Sequence, residues 1–174
     1  MKIRNILLTV LVIVVGLVVT GCQPKTQGET FISKSGYFEV VSAGGWIEAS
    51  EGDLNKNADL ELRGKNMEKY AMLLTDKLDG FDNFEAWSDL VISNNSQNYG
   101  FDVEDVKTVE VGGYESKYVE FIKEFNGYDM YMRIYFLKSK NFYYQLFLWT
   151  LKENKDRLSG EFDNMVNSIY FYEE

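Results

Sequence analysis

The 174-residue sequence predicts an α+β fold, a mainly antiparallel sheet flanked by helices on both faces (an α/β/α sandwich). Three observations predict it. Asn126-Gly127 sits between two long β-type runs, Tyr114 to Phe125 and Tyr128 to Lys138, the signature of a hairpin closed by a two-residue type I′ turn. Phe142 to Leu151 (FYYQLFLWTL) is apolar at nearly every position, so both faces of that strand need cover. Asp82 to Gln97 and Asn154 to Ile169 carry apolar residues at helical spacing, and each supplies a layer.

In chain order, residues 1–21 read as a signal peptide. Lys2 and Arg4 form a cationic start, and Ile6 to Val19 is almost wholly Leu, Ile and Val. At about 14 residues this core is shorter than the roughly 20 that span a bilayer as a helix, which favours a cleaved signal over a permanent anchor. Val19-Thr20-Gly21-Cys22 has the form of a lipobox: a branched apolar residue, two small residues, then the only cysteine of the chain. Cys22 is thus the expected lipid-attachment site, against the alternative of a free thiol after an ordinary signal. Two acyl chains are a sufficient anchor, since each buried CH₂ contributes about 0.8 kcal/mol. Residues 22–29 (CQPKTQGE) read as the lipidated cysteine and a polar tether, and 30–174 as a single domain. The expected location is the extracytoplasmic face of a bacterial cell membrane.

Within the domain, Thr30 to Ser33 and Tyr37 to Val41 are short strands, and Ala43-Gly44-Gly45 turns to deliver Trp46, expected in the core. Glu51 to Asn57 is a polar loop. Ala58 to Arg63 alternates Leu60 and Leu62 with Asp59, Glu61 and Arg63 as a peripheral strand should, and Tyr70 to Leu78 is denser in apolar residues and more central. In the first helix Phe84, Trp87, Leu90, Val91 and Asn94 form the stripe, with Asp82 and Glu85 at capping-box spacing. Val103 to Val111 is a strand, and Gly112-Gly113 turns into the hairpin. The Asn126-Gly127 turn fixes its register: Phe125 opposite Tyr128, Phe121 opposite Met132, Glu120 opposite Arg133, Val119 opposite Ile134. Val119, Phe121, Met132 and Ile134 then share one face. Tyr118, Tyr131, Tyr135 and the Glu120–Arg133 pair share the other, a tyrosine-rich layer expected to lie under a helix. The last helix buries Leu158, Phe162, Met165, Val166 and Ile169.

This order of elements resembles the PsbP/Mog1/DcrB superfamily from about Thr30 to Tyr172. The segment from Phe38 to Trp46 (FEVVSAGGW) is similar to that family's F-x-V-x-x-P-x-G-W opening, with Ala43 in the usual proline position. Val111-Gly112-Gly113 is similar to its glycine turn before a long strand, and Phe162 to Ile169 to its closing motif. The resemblance implies the sandwich fold and a non-catalytic partner or assembly factor, a class that includes an envelope lipoprotein.

Composition narrows the chemistry. With no histidine and one cysteine, every imidazole triad or zinc site, and any intramolecular disulfide, is excluded. The net charge of −9, from 27 acidic and 18 basic side chains, argues against a nucleic-acid partner, which needs a basic stripe to neutralise phosphates. No phosphate-binding glycine loop or serine–lysine motif is present, and no spacing singles out two acids as a glycosidase pair. Clusters at Glu51/Asp53, Asp76/Asp79/Asp82 and Asp102/Glu104/Asp105 lack EF-hand spacing and read as solvated loops and helix starts rather than Ca²⁺ sites. No catalytic residue, cofactor or metal is therefore expected. The sequence points to a lipid-anchored module that binds an envelope protein. The alternatives are a small-molecule or metal-binding receptor and a carboxylate hydrolase.

Overall fold

The structure is a computed structural model and describes residues 28–172. The signal peptide, Cys22 and most of the tether lie outside those residues. The described chain forms two antiparallel sheets and two α-helices, and none of its helices is long and apolar enough to cross a membrane. The strands are β1 (Glu29–Ile32), β2 (Phe38–Ser42), β3 (Trp46–Glu48), β4 (Leu60–Gly64), β5 (Lys69–Lys77), β6 (Lys107–Val111), β7 (Tyr114–Phe125), β8 (Tyr128–Lys138), β9 (Phe142–Leu151) and β10 (Tyr170–Phe171). The helices are α1 (Phe84–Tyr99) and α2 (Lys155–Asn167).

The large sheet has seven strands in the order β3-β4-β5-β9-β8-β7-β6, which places the apolar β9 at its centre. Period-2 alternation divides β9 between two cores. Tyr144, Leu146 and Leu148 point to the α2 side and pack with Phe162, Met165 and Leu158; Tyr143 and Phe147 point to the α1 side and pack with Trp87 and Ile92. The α2 side is shared with a second, three-stranded sheet, β1-β2-β10, which adds Phe31, Phe38, Val40 and Phe171 to the same core. Helix α2 alone is too short to cover a seven-stranded face, and the small sheet completes that layer.

The β7–β8 register is the one that Asn126-Gly127 dictates. Phe125 faces Tyr128, Phe121 faces Met132, Glu120 faces Arg133 and Val119 faces Ile134. Asn126 and Gly127 both adopt left-handed backbone, with φ of 50° and 84°. Trp46 is fully buried, and the expected stripe of α2 is buried throughout.

Three local expectations are corrected. Helix α1 is capped by Asn83, not Asp82: Asn83 is extended and its Oδ1 accepts the Ala86 N–H at 2.9 Å, since the apolar period begins at Phe84. The buried stripe of α1 is Phe84, Trp87, Ser88, Ile92 and Asn95, whereas Leu90 and Asn94 are exposed. A polar thread under the helix sets this rotation. Asn95 Nδ2 donates to Gln145 Oε1 at 3.0 Å, and Asp76 Oδ2 accepts from Trp87 Nε1 at 3.1 Å. Finally, Val103–Asp105 is a 3₁₀ turn, because Asp102 Oδ1 takes the Glu104 N–H at 3.0 Å, and the strand starts only at Lys107.

Candidate functional site

Helix α1 ends where Gly100 takes φ 76° and donates its N–H to Ser96 O at 2.7 Å. The sheet continues beyond that point, so the part of its face nearest the β7–β8 turn has no helix over it. What remains is a hollow of about 330 Å³ lined by Leu54, Met72, Tyr99, Phe125, Met130, Met132, Phe147 and Trp149, with Asn55 at its side. Its walls are ordered by ring contacts: Tyr99 packs on Phe147 at 5.9 Å and edge-on to Phe125 at 6.5 Å, and Trp149 stacks on Tyr70 at 5.3 Å. Burial pushes the Tyr99 phenol up, so it is a neutral hydrogen-bonding group at physiological pH. Three methionines give the lining a soft surface that can adapt to an inserted side chain. The Asn126-Gly127 turn was legible in the sequence. The hollow was not, because it depends on where α1 stops relative to the strand ends.

The 51–57 loop, which forms one wall of the hollow through Leu54 and Asn55, is held by one carboxylate. Glu61 Oε2 accepts the Gly52 N–H at 2.6 Å, and Oε1 accepts Leu54 N–H at 2.7 Å and Asn55 N–H at 2.9 Å. Burial opposes ionisation of Glu61, but those three amides outweigh it and lower its pKa. Alternation along β4 assigns Glu61 to solvent; the structure buries it, because the loop folds back and supplies the donors that water would have provided.

On the opposite face a more polar cleft of about 370 Å³ lies between β6, β7, β8 and α2, lined in part by Val109, Tyr118, Glu120, Arg133, Tyr135 and Asp163. Tyr131 and Tyr135 are buried beneath α2, as the expected second layer requires. Arg133 is buried as well. Its Nε donates to Tyr131 Oη at 2.5 Å, Glu120 lies 3.3 Å from Nε, and Nη1 pairs with Asp163 on α2. Burial, reinforced by the Glu120 hydrogen bond, pushes Tyr131 up to about 12, and burial takes Tyr135 to about 12. Burial alone would raise Glu120, yet the Tyr131 hydrogen bond and the nearby cations bring it below the usual carboxylate value. The group therefore pins α2 to the sheet. Glu120 shifts down and the two phenols up, the wrong directions for proton transfer near neutral pH.

The acidic clusters have local duties. Glu51 pairs with Lys34 at 3.2 Å, Asp53 accepts the Ser50 N–H at 3.2 Å, Asp76 holds Trp87, and Asp102 caps the 3₁₀ turn. Among the described residues no group of three metal-ligating side chains comes together.

Comparison with known structures fits this architecture. CyanoP, the cyanobacterial PsbP of Synechocystis sp. PCC 6803, superposes with a TM-score of 0.61 over 90% of this chain and 99% of its own, at 12% identity. The fold is PsbP-like. LpqN of Mycobacterium tuberculosis, a protein involved in cell envelope biogenesis, is 13% identical, with a TM-score of 0.62 over 84% of this chain and 86% of its own. A protein of Bacteroides thetaiotaomicron VPI-5482 gives 0.63 at 13% identity over 85% of this chain, which spans 50% of that longer one. No protein-family model and no curated protein matches the chain. Identities this low make the likeness one of fold.

Proposed function

We propose that this protein is a non-catalytic, lipid-anchored module of the bacterial cell envelope, tethered on the extracytoplasmic face through Cys22, whose domain binds another envelope protein. The observation that carries the binding role is the hollow. It is an open, methionine- and aromatic-lined depression of about 330 Å³ on the α1 face of the sheet, large enough for one or two apolar side chains of a partner. The reading without catalysis is supported by the direction of the carboxyl shifts. Glu61, Glu68 and Glu120 are all lowered, whereas a glycosidase acid needs a raised value. The envelope role of LpqN, a protein of similar fold, supports the location proposed here from residues 1–22.

A photo-crosslinking side chain placed at Met130, inside the hollow, tests the reading in living cells, with Glu115 as the control position outside it. A discrete protein adduct is expected from position 130, lost when Met132→Glu charges the hollow floor. Adducts of equal yield from both positions, or none from position 130, would overturn it.

A further inference from the structure

The sheet has a definite end from which the chain departs toward the tether. Across the large sheet Trp46 faces Gly64, Lys69 faces Thr150, Thr150 faces Tyr131 and Tyr131 faces Ile122, which together mark a row near the strand ends. Two turns project beyond that row, the β4–β5 turn carrying Met67 and the β7–β8 turn flanked by Phe125 and Tyr128. The first described residues arrive there as well. Glu29 faces Ser42, only Ala43-Gly44-Gly45 separates Ser42 from Trp46, and the Lys65 N–H of the β4–β5 turn donates to Gly45 O at 2.9 Å.

The side chains at the two turn tips are unusual for a surface. Tyr128 is 65% exposed, Met67 59% and Phe125 39%. Met67 sits at φ 59°, a left-handed position where glycine or asparagine is the unstrained choice. A bulky apolar side chain is therefore held out into solvent on strained backbone. The charges beside these tips balance: Lys152 pairs with Asp129 at 2.9 Å and Arg157 with Glu68 at 2.6 Å, and Lys65 and Lys123 are set against Glu124 and Glu153. This end thus adds little to the domain's acidic net charge, which anionic headgroups would repel.

We infer that this end of the domain rests on the bilayer, with Met67, Phe125 and Tyr128 entering the headgroup–acyl boundary. The inference rests on the Cys22 anchor proposed above. Cys22 is separated from Gly28 by Gln23 to Thr26 and Gln27, and at about 3.3–3.6 Å per residue such a span keeps Gly28 within about 20 Å of the lipidated residue. An exposed tyrosine and two apolar tips on the side facing the membrane match the interfacial preference of such side chains. The hollow, whose lip is Phe125, then opens close to the membrane surface, and its partner would present its apolar side chain there.

The test uses the full lipidated chain in vesicles of phosphatidylethanolamine and phosphatidylglycerol. Because Cys22 is consumed by lipid, Met67→Cys, Tyr128→Cys and the far-end control Glu115→Cys each introduce the only free thiol, which takes an environment-sensitive dye. The dyes at 67 and 128 are expected to shift to shorter emission wavelength and to lose emission to a quencher carried on lipid tails, while the dye at 115 keeps its emission. A protein that floats with the vesicles but shows no quenching at 67 and 128, or equal quenching at all three positions, overturns the inference and leaves the anchor standing. A protein that does not float with the vesicles overturns both.

Discussion

Glu61 shows how one side chain can organise a site without touching its ligand. It closes the loop that forms one wall of the hollow, through three backbone amides. Replacing it with alanine leaves those donors unsatisfied in a partly dry setting, and a loss of about 1–3 kcal/mol is expected in denaturant unfolding. Its folded pKa lies below the ordinary 4.5, so its contribution is complete above that value and disappears as pH falls through the folded one. Glu61→Gln should therefore lose less stability than the wild type on acidification below about pH 4. Tyr131 and Tyr135 act at the other extreme. Both are raised to about 12 from an ordinary 10, so their contribution is whole below pH 10 and is lost as pH rises toward 12. Exposed tyrosines such as Tyr128 ionise while the chain is still folded, but the last part of the rise in tyrosinate absorbance should coincide with alkaline unfolding followed by circular dichroism; ionisation of all the tyrosines in a still-folded protein would contradict the buried placement. The tyrosine layer was legible because hairpin register decides the face on which each side chain lies. The Glu61 cage was not legible, because its donors come from a loop whose path no local pattern encodes.

At the scale of elements, the β7–β8 hairpin and helix α1 make opposite lessons. The hairpin follows from one dipeptide: with turn type fixed, each side chain in both strands has an assigned partner and face. Asn126→Val puts a β-branched residue at φ 50° and should cost about 1–2 kcal/mol, seen as a lowered melting temperature. Helix α1 obeys a less local rule. Its mean periodicity and Trp87 were readable, but its rotation follows from the polar contacts of Asn95, Gln145 and Asp76, which no helical stripe of apolar residues anticipates. Its start is likewise set by Asn83. Asn83→Ala should cost about 0.5–2 kcal/mol, while Asp82→Ala should leave thermal stability nearly unchanged, and the reverse order would reinstate Asp82 as the cap.

On the scale of the whole molecule, two cores share one central strand, and α2 is pinned by Arg133 through Glu120, Tyr131 and Asp163. The three-layer arrangement was foreseeable from β9 alone, since a strand apolar on both faces needs two covers. The small sheet that shares the α2 layer was not, because short strands such as β10 carry little pattern. The functional account depends on the anchor more than on any residue in the domain. Cys22→Ala should leave the protein unprocessed or release it from membranes, as fractionation would show. The most direct measurement is the intact mass of the protein extracted from cell membranes. The account predicts a chain beginning at Cys22 and carrying a diacylglyceryl group. A full-length chain still beginning at Met1, or a mature chain with an unmodified Cys22, would contradict it.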